Sequence, residues 1–517
     1  MKHVLIVGAG PAGLTAAYDL LSKGKHEYEV TVIEEQPRVG GISCTIDHNG
    51  NRIDLGGHRF FSKSPEVNDL WKEIMPLQGA PAWDDLRLGR TVPLSQGGPD
   101  PEVEERVMLT RHRVSRIYFL RKFFDYPISM RPETFINMWL LRTVKAGFGY
   151  LLSCIHKRPE TSLEDFYINR FGRPLYQMFF EDYTEKVWGI HPSGISPDWG
   201  RQRVKELSLL KALLNAIKPK NSSESKSVET SLIEQFSYPK RGPGQLWECM
   251  ADDIQKMGGT IRLNTHITSF ARNTDGVITS ATCRTSEGTT ESIPCDAVFS
   301  SMPLKDLADA IPGLPEDVVS AARALPYRDF ITVGLLVDRL LIKNETKIPT
   351  IGQIVPDCWI YIQERNVRIG RLQIFNNWSP YMNKDPEHTV WIGLEYFCNE
   401  GDSMWNMPDS DFISFARQEL LSIGILDDIP VRDSVCIHVR KAYPAYFGSY
   451  AQIKQIQNML NSIPNLYCIG RNGQHRYNNM DHSMLTGLCA SRLYRENIHD
   501  RTELWNINTE EAYHEES

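Results

Sequence analysis

The sequence predicts an α/β fold in which a parallel-sheet domain is interrupted by a mostly helical insertion and an antiparallel-sheet domain. Three observations predict it. First, between Lys2 and Glu34 an apolar run (Val4 to Val7) passes into Gly8-Ala9-Gly10-Pro11-Ala12-Gly13. Helical residues Leu14 to Leu21 follow, then a second strand, Val30 to Ile33. Second, buried strand-like runs return far along the chain at Ala297 to Ser301 and Leu466 to Arg471. Third, Ile331 to Val337, Trp359 to Gln363, Leu372 to Phe375, Val390 to Phe397 and Val435 to Val439 form a separate set that suits an antiparallel sheet.

The opening stretch has the order a Rossmann-type dinucleotide site requires. Gly8 permits the tight turn, Gly10 and Ala12 let backbone amides approach a pyrophosphate at the helix N-terminus, and Gly13 lets helix and strand pack closely. Glu34, with Glu35 beside it, stands about twenty residues on, where a carboxylate accepts from ribose hydroxyls. Arg38-Val39-Gly40-Gly41 adds a second glycine pair for the pyrophosphate, which argues for FAD rather than NAD. Asp54-Leu55-Gly56-Gly57-His58 then reads either as a strand-turn with a satisfied histidine or, from its place after the clamp, as a wall of the flavin ring.

The 517 residues leave room for two or three domains, and 41% hydrophobic with 23% charged is ordinary for a globular chain. A net charge of −7 gives no global basic field, so nucleic acid is not expected as a partner. The chain begins on its first strand, which suggests a cytoplasmic protein without a leader. Ten cysteines without CxxC or zinc spacing predict buried thiols and no metal. The most apolar helical stretch, Phe135 to Cys154, carries Arg142 and Lys145 in its middle; no transmembrane segment is expected, but an amphipathic helix against the core or against another copy in a homo-oligomer.

Along the chain, Trp83 to Pro101 reads as a loop, and Val107 to Arg113, Ile117 to Leu120 and Lys122 to Pro127 read as a small sheet. Arg131 to Cys154, Ser162 to Phe171 and Pro174 to Thr184 read as helices. The aromatic and cationic runs Tyr183 to Gly189 and Trp199 to Val204, taken alone, read as surface helix ends. A serine-rich polar run, Lys218 to Ser231, marks a boundary. The expected division is 1–85, 232–305 and 456–505 for the FAD-binding domain, 86–231 for the helical insertion and 306–455 for the antiparallel-sheet substrate domain. Asp481-His482-Ser483 opens a helix after Gly470-Arg471, so a second helix N-terminus is expected at the cofactor.

Six blocks resemble the UDP-galactopyranose mutase family, especially its longer eukaryotic form. They are Gly56-Gly57-His58 with Phe61-Ser62; Glu185 to Trp188; Trp199 with Arg203-Val204; Tyr238-Pro239 with Gly242 to Trp247; Arg371 with Ile374 to Asn377 and Ser379 to Tyr381; and Gly470-Arg471 with Arg476-Tyr477 and Asp481 to Ser483. The resemblance implies a redox-neutral isomerase that works with reduced FAD, NADPH or NADH being the reductant. Flavin N5 attacks the anomeric carbon of a nucleotide sugar, UDP leaves, and the pyranose recloses as a furanose. It also implies that Arg203 and Arg371 hold the diphosphate, that Tyr443, Tyr477 and Asn376 add substrate contacts, and that the backbone of His58 faces N5. By the same resemblance Gly470, Arg471, Asp481 and Ser483 complete the cofactor site. Arg59 after His58 departs from the family pattern, as does the short Tyr477 to Asp481 segment. The competing expectation is an FAD-dependent oxidoreductase of the amine oxidase, protoporphyrinogen oxidase or phytoene desaturase group, whose apolar or amine substrate wants an arginine-poor cavity.

Overall fold

The computed structural model describes residues 1–24, 26–126, 140–197, 199–200 and 235–508. The chain divides into two compact units, one built from 1–110, 237–328 and the chain from 441 onward, the other from 111–236 and 329–440.

The first unit is organised on a five-stranded sheet in the order Leu466–Cys468, Ala297–Ser300, Lys2–Val7, Tyr28–Ile33, Thr260–Arg262. All neighbours are parallel, with Val4 opposite both Ala297 and Val30. Side chains alternate across the central strand: Val4 and Ile6 join the core that includes Leu14, Trp247, Phe299 and Met484. Leu5 and Val7 join the opposite core with Phe270, Val298 and Leu307. Both faces are covered, which is why this strand reads as an unbroken apolar run rather than an alternating one. The helices Pro11–Lys23 and Met480–Arg495 pack together over the first face.

In the second unit the framework is a seven-stranded sheet, ordered Asp433–Pro444, Tyr327–Val337, Val390–Cys398, Arg371–Ile374, Trp359–Ile362, Ser115–Phe119, Lys122–Asp125. Its last two strands come from the segment expected to be a helical insertion, and Trp359–Ile362 pairs with Ser115–Phe119 in parallel. Helix and sheet of that segment therefore share one unit, because strand pairing joins what composition separates. Four helices follow one another, Leu140–Ile155, Leu163–Phe171, Arg173–Phe179 and Glu181–Trp188. Ser162 begins the second, accepting from the Asp165 N–H at 3.2 Å.

Three local expectations are corrected. The loop expected over 83–101 contains a helix, Trp83–Leu88, ended by Gly89 at φ 62°; Arg90 anchors it through Asp84 and, at 3.2 Å, Asp85. The helix expected over 174–184 is two helices that meet at Phe180. The run Tyr183 to Trp188 is no surface helix end, since Val187 and Trp188 are buried. All ten cysteines are free thiols, and Cys154 is the exposed one. Among the described residues no helix is long and apolar enough to cross a membrane.

A candidate flavin cradle and a candidate anion site

The glycine turn is built for close backbone approach. Gly8 sits at φ 100° with its N–H on the Ile33 carbonyl at 2.8 Å, and a Cβ there would overlap Ser301. A Cβ on Gly13 would overlap the Gly8 carbonyl oxygen, so the helix seats directly on the turn. Gly40 donates to the Ala9 carbonyl at 2.8 Å, tying the second glycine pair to the first turn. Gly10 and Gly41 then face one another, a Cβ on Gly41 lying 3.4 Å from the Gly10 Cα. Side chains on this pair would fill the gap. Pro11 opens the helix and no side chain caps it, which leaves the positive helix end for an anion.

Glu34 is buried, and its two oxygens accept from the N–H groups of Ala9 at 2.7 Å and Gln36 at 2.9 Å. Burial pushes its carboxyl above the usual range against the pull of those amides. A carboxylate has about four acceptor positions, so both oxygens retain capacity for ribose hydroxyls. Glu35 is exposed and Ala12 buried. The residues present fit a dinucleotide.

Around this cradle, His58 donates from Nε2 to the Leu55 carbonyl at 3.0 Å, which folds the turn containing Gly57. Gly470 donates to Thr486 Oγ1 at 2.8 Å, and that hydroxyl in turn donates to the Ser483 carbonyl at 2.6 Å. Ser62 donates to Asp481 at 3.1 Å across 419 residues of sequence. Arg471 donates to the carbonyls of Ala442 at 2.9 Å and Asn478 at 2.6 Å. Its guanidinium lies over the rings of Tyr443 and Tyr477, themselves stacked with centroids 5.7 Å apart. The two tyrosines are thus brought together, and Arg471 is the post that holds them. Asp54, which sequence reasoning passed over, is fully buried, accepts from Thr45 at 2.8 Å and from Tyr238, and burial pushes its carboxyl up to about 7.

Arg371, in the other unit, begins a strand with Glu395 directly opposite on one side and Tyr361 on the other. Its Nη1 meets Glu395 at 3.1 Å and its Nε donates to the Tyr183 hydroxyl at 3.0 Å. Trp359 and Phe397 lie 5.1 and 4.9 Å from the guanidinium carbon. Gln373 donates to the second Glu395 oxygen at 3.0 Å. Glu395 is wholly buried, and that burial holds its carboxyl above the ordinary range although Arg371 opposes the shift. The outcome is a guanidinium fixed in plane and direction before any ligand arrives.

Lys186, one turn along from Tyr183, donates to the carbonyls of Ile362, Glu364 and Ile369 at 3.2, 3.2 and 3.0 Å, and burial lowers its ammonium to about 8. It pins the helix that carries Tyr183 to the turn that leads into Arg371. Asn376 is turned inward: it donates to the Thr389 carbonyl and accepts from the Trp391 N–H, each at 2.9 Å, which makes it a brace for this sheet. Arg203 lies outside the described residues. The partners Tyr183, Glu395, Trp359 and Phe397 were missed as site residues. Glu395 carried a signal, as the lone acid in the apolar strand Val390–Cys398. For a metal, the one cluster of donors among the described residues is Asp409, Cys436 and His438, whose atoms lie within 4.8 Å of one another.

A parallel sheet whose first turn fits a dinucleotide, joined to a sheet unit that presents a preset guanidinium, defines an FAD-binding two-unit protein. The sequence matches the family model for flavin-containing amine oxidoreductases over residues 11–493. The chain belongs to that family, and its cofactor is FAD. It is 41% identical to protoporphyrinogen oxidase 2 of Arabidopsis thaliana over 514 aligned positions, covering 91% of this chain and 89% of the other. It is 25% identical to a phytoene dehydrogenase of Streptomyces griseus, where the match covers 58% of this chain and 54% of that protein's length. Among solved structures, reduced UDP-galactopyranose mutase matches with a TM-score of 0.76 at 21% identity, over 98% of this chain and 96% of the other. A protein described as a putative protoporphyrinogen oxidase from Exiguobacterium sp. 255-15 matches with 0.65 at 16%, over 96% and 98%. At those identities the structural likenesses establish the fold.

Proposed function

We propose that the protein is a redox-neutral isomerase that interconverts a nucleoside-diphosphate hexopyranose, UDP-galactopyranose in the first instance, and its furanose. The single observation that carries this reading is Arg371: a cation held between two aromatic rings and oriented by Glu395 and Tyr183. Such a group suits a diphosphate and has no use in a cavity for a polyene. When bound, reduced FAD would supply nucleophilic chemistry at the anomeric carbon. Arg371, with Arg203, binds the diphosphate and stabilises the charge that grows on it as a leaving group. Tyr183 and Glu395 keep that guanidinium from reorienting, while Tyr443 and Tyr477 offer hydroxyl contacts to the substrate. A second reading, an FAD-dependent oxidoreductase acting on a porphyrinogen, polyene or amine, is favoured by the names of the sequence relatives.

One experiment separates the two. Dithionite-reduced protein, kept anaerobic, is incubated with UDP-galactopyranose and a panel of other nucleotide sugars and the products are resolved by chromatography. The isomerase reading expects a furanose product without net consumption of reductant, and no turnover by oxidised protein. Oxygen uptake in step with oxidation of a porphyrinogen, polyene or amine, with every nucleotide sugar unchanged, replaces it with the second reading.

A further inference from the structure

The helix Leu140–Ile155 is turned inside out. At 3.6 residues per turn, Val144, Phe148, Leu151, Leu152 and Ile155 fall within an arc of about 100°, and all five are exposed, from 49% to 75%. The opposite arc holds small residues. Ala146 and Ser153 are buried there, and Gly149 sits so close to Pro174 that a Cβ would overlap its ring. Gly172 makes a matching approach to the Gly149 carbonyl. Close backbone contact locks this small-residue face inward, so among the described residues the large apolar face is not the one that packs on its own unit. Five contiguous large apolar side chains in water call for an occupant.

Charge identifies the occupant. Residues 140–159 contain Arg142, Lys145, Lys157 and Arg158 but no Asp or Glu, in a chain whose net charge is −7; Lys157 donates to the Asn169 carbonyl and Arg158 lies 3.8 Å from Asp165, so the charge offered to an occupant is that of Arg142 and Lys145. Arg142 and Lys145 are exposed on the helix itself. In a two-fold pair this patch would meet its own copy. Cations would then face cations with no carboxylate on the helix between them. A layer of anionic headgroups over acyl chains answers both features at once. The described part of the helix, Leu140–Ile155, carries Arg142 and Lys145. With two cations on it, it lies in the interface rather than crossing.

We propose that this helix is a membrane-surface anchor that docks the protein on anionic phospholipid bilayers. The inference is independent of the reaction assigned to the flavin. Its test is co-sedimentation of the FAD-loaded full chain with phosphatidylcholine vesicles, with and without phosphatidylglycerol. Binding is expected to the anionic vesicles and to weaken with added salt. The double variant Phe148→Ser, Leu151→Ser should bind at least about tenfold less while keeping its FAD content and circular dichroism, since both positions are exposed. A polarity-sensitive dye on Cys154, the exposed thiol of the helix, should shift to the blue with anionic vesicles alone. Absence of binding by the unmodified protein overturns the proposal, as does binding that the double variant leaves unchanged. So does a dimer, seen by light scattering, that the double variant dissociates in a protein that binds no vesicle; the helix would then be a subunit interface.

Discussion

Breaking the Arg371–Glu395 pair provides a sharp test of the second unit. The two charges are 3.1 Å apart, Glu395 wholly buried and the Arg371 side chain 12% exposed. With an effective dielectric near 20 their attraction is about 5 kcal/mol, and removing one partner from a buried pair costs about 3–5 kcal/mol. Arg371→Met leaves a buried carboxyl whose protonation is already favoured by burial, and now nothing opposes that shift. A carboxyl with a raised folded pKa keeps its proton in the fold after the unfolded chain has released it. Stability therefore falls as pH rises from about 4.5 toward the folded pKa, by up to about 1.4 kcal/mol per unit. The Arg371→Met penalty should grow as pH rises above about 4.5. Glu395→Gln strands a cation that does not titrate and removes a carboxyl whose folded pKa is raised, so its penalty should shrink rather than grow as pH rises. The double variant should cost much less than the sum, because a neutral pair replaces an ionic one and no charge is left stranded. Urea unfolding of all four proteins from about pH 5 to about pH 8 measures this. If the coupling energy is within about 0.5 kcal/mol of zero, or if the Arg371→Met penalty is flat with pH, the pair does not hold the guanidinium as argued.

The other predictions concern the flavin-binding unit. Glu34→Ala removes a buried acceptor of two amides and of the expected ribose contacts, and should loosen FAD by about 1.5–3 kcal/mol; equal FAD retention after repeated desalting would argue against the assignment. Asp54→Asn should gain stability relative to the unmodified protein as pH rises from 3.8 to about 7 and level off above. The cause is the same sign as before: the folded state retains a proton that the unfolded state has lost, and the shift corresponds to about 4 kcal/mol over the window. A gap between the two unfolding curves that stays constant across that window would show Asp54 ionised in the fold.

The nucleotide turn was legible because everything it needs is local. Strand, glycines, helix and acid lie between Lys2 and Glu34, and each residue type answers a steric or electrostatic demand that one pass along the chain can state. The same holds for the apolar strands Ala297–Ser300 and Leu466–Cys468: a strand covered on both faces must be apolar throughout, wherever in the sequence it returns. Helix starts and ends were less legible. Trp83–Leu88 hides in a stretch rich in Gly, Pro and Asp, since its anchor is Arg90 reaching back to two acids rather than a hydrophobic period. The surroundings of Arg371 were decided by tertiary structure alone. Tyr183 is 188 residues from its arginine and Glu395 is 24, and only strand register brings the latter opposite. Residue type marked Arg371 as a cation; burial against Glu395, with rings on its faces, makes it an oriented one. Asn376 shows the converse, since a polar residue beside Arg371 in sequence turns into the sheet, where the Thr389 carbonyl and the Trp391 N–H take up its amide. The helix Leu140–Ile155 followed the same logic: its amphipathic pattern was visible in the sequence, but which face points inward was set by the close contact of Gly149 with Pro174.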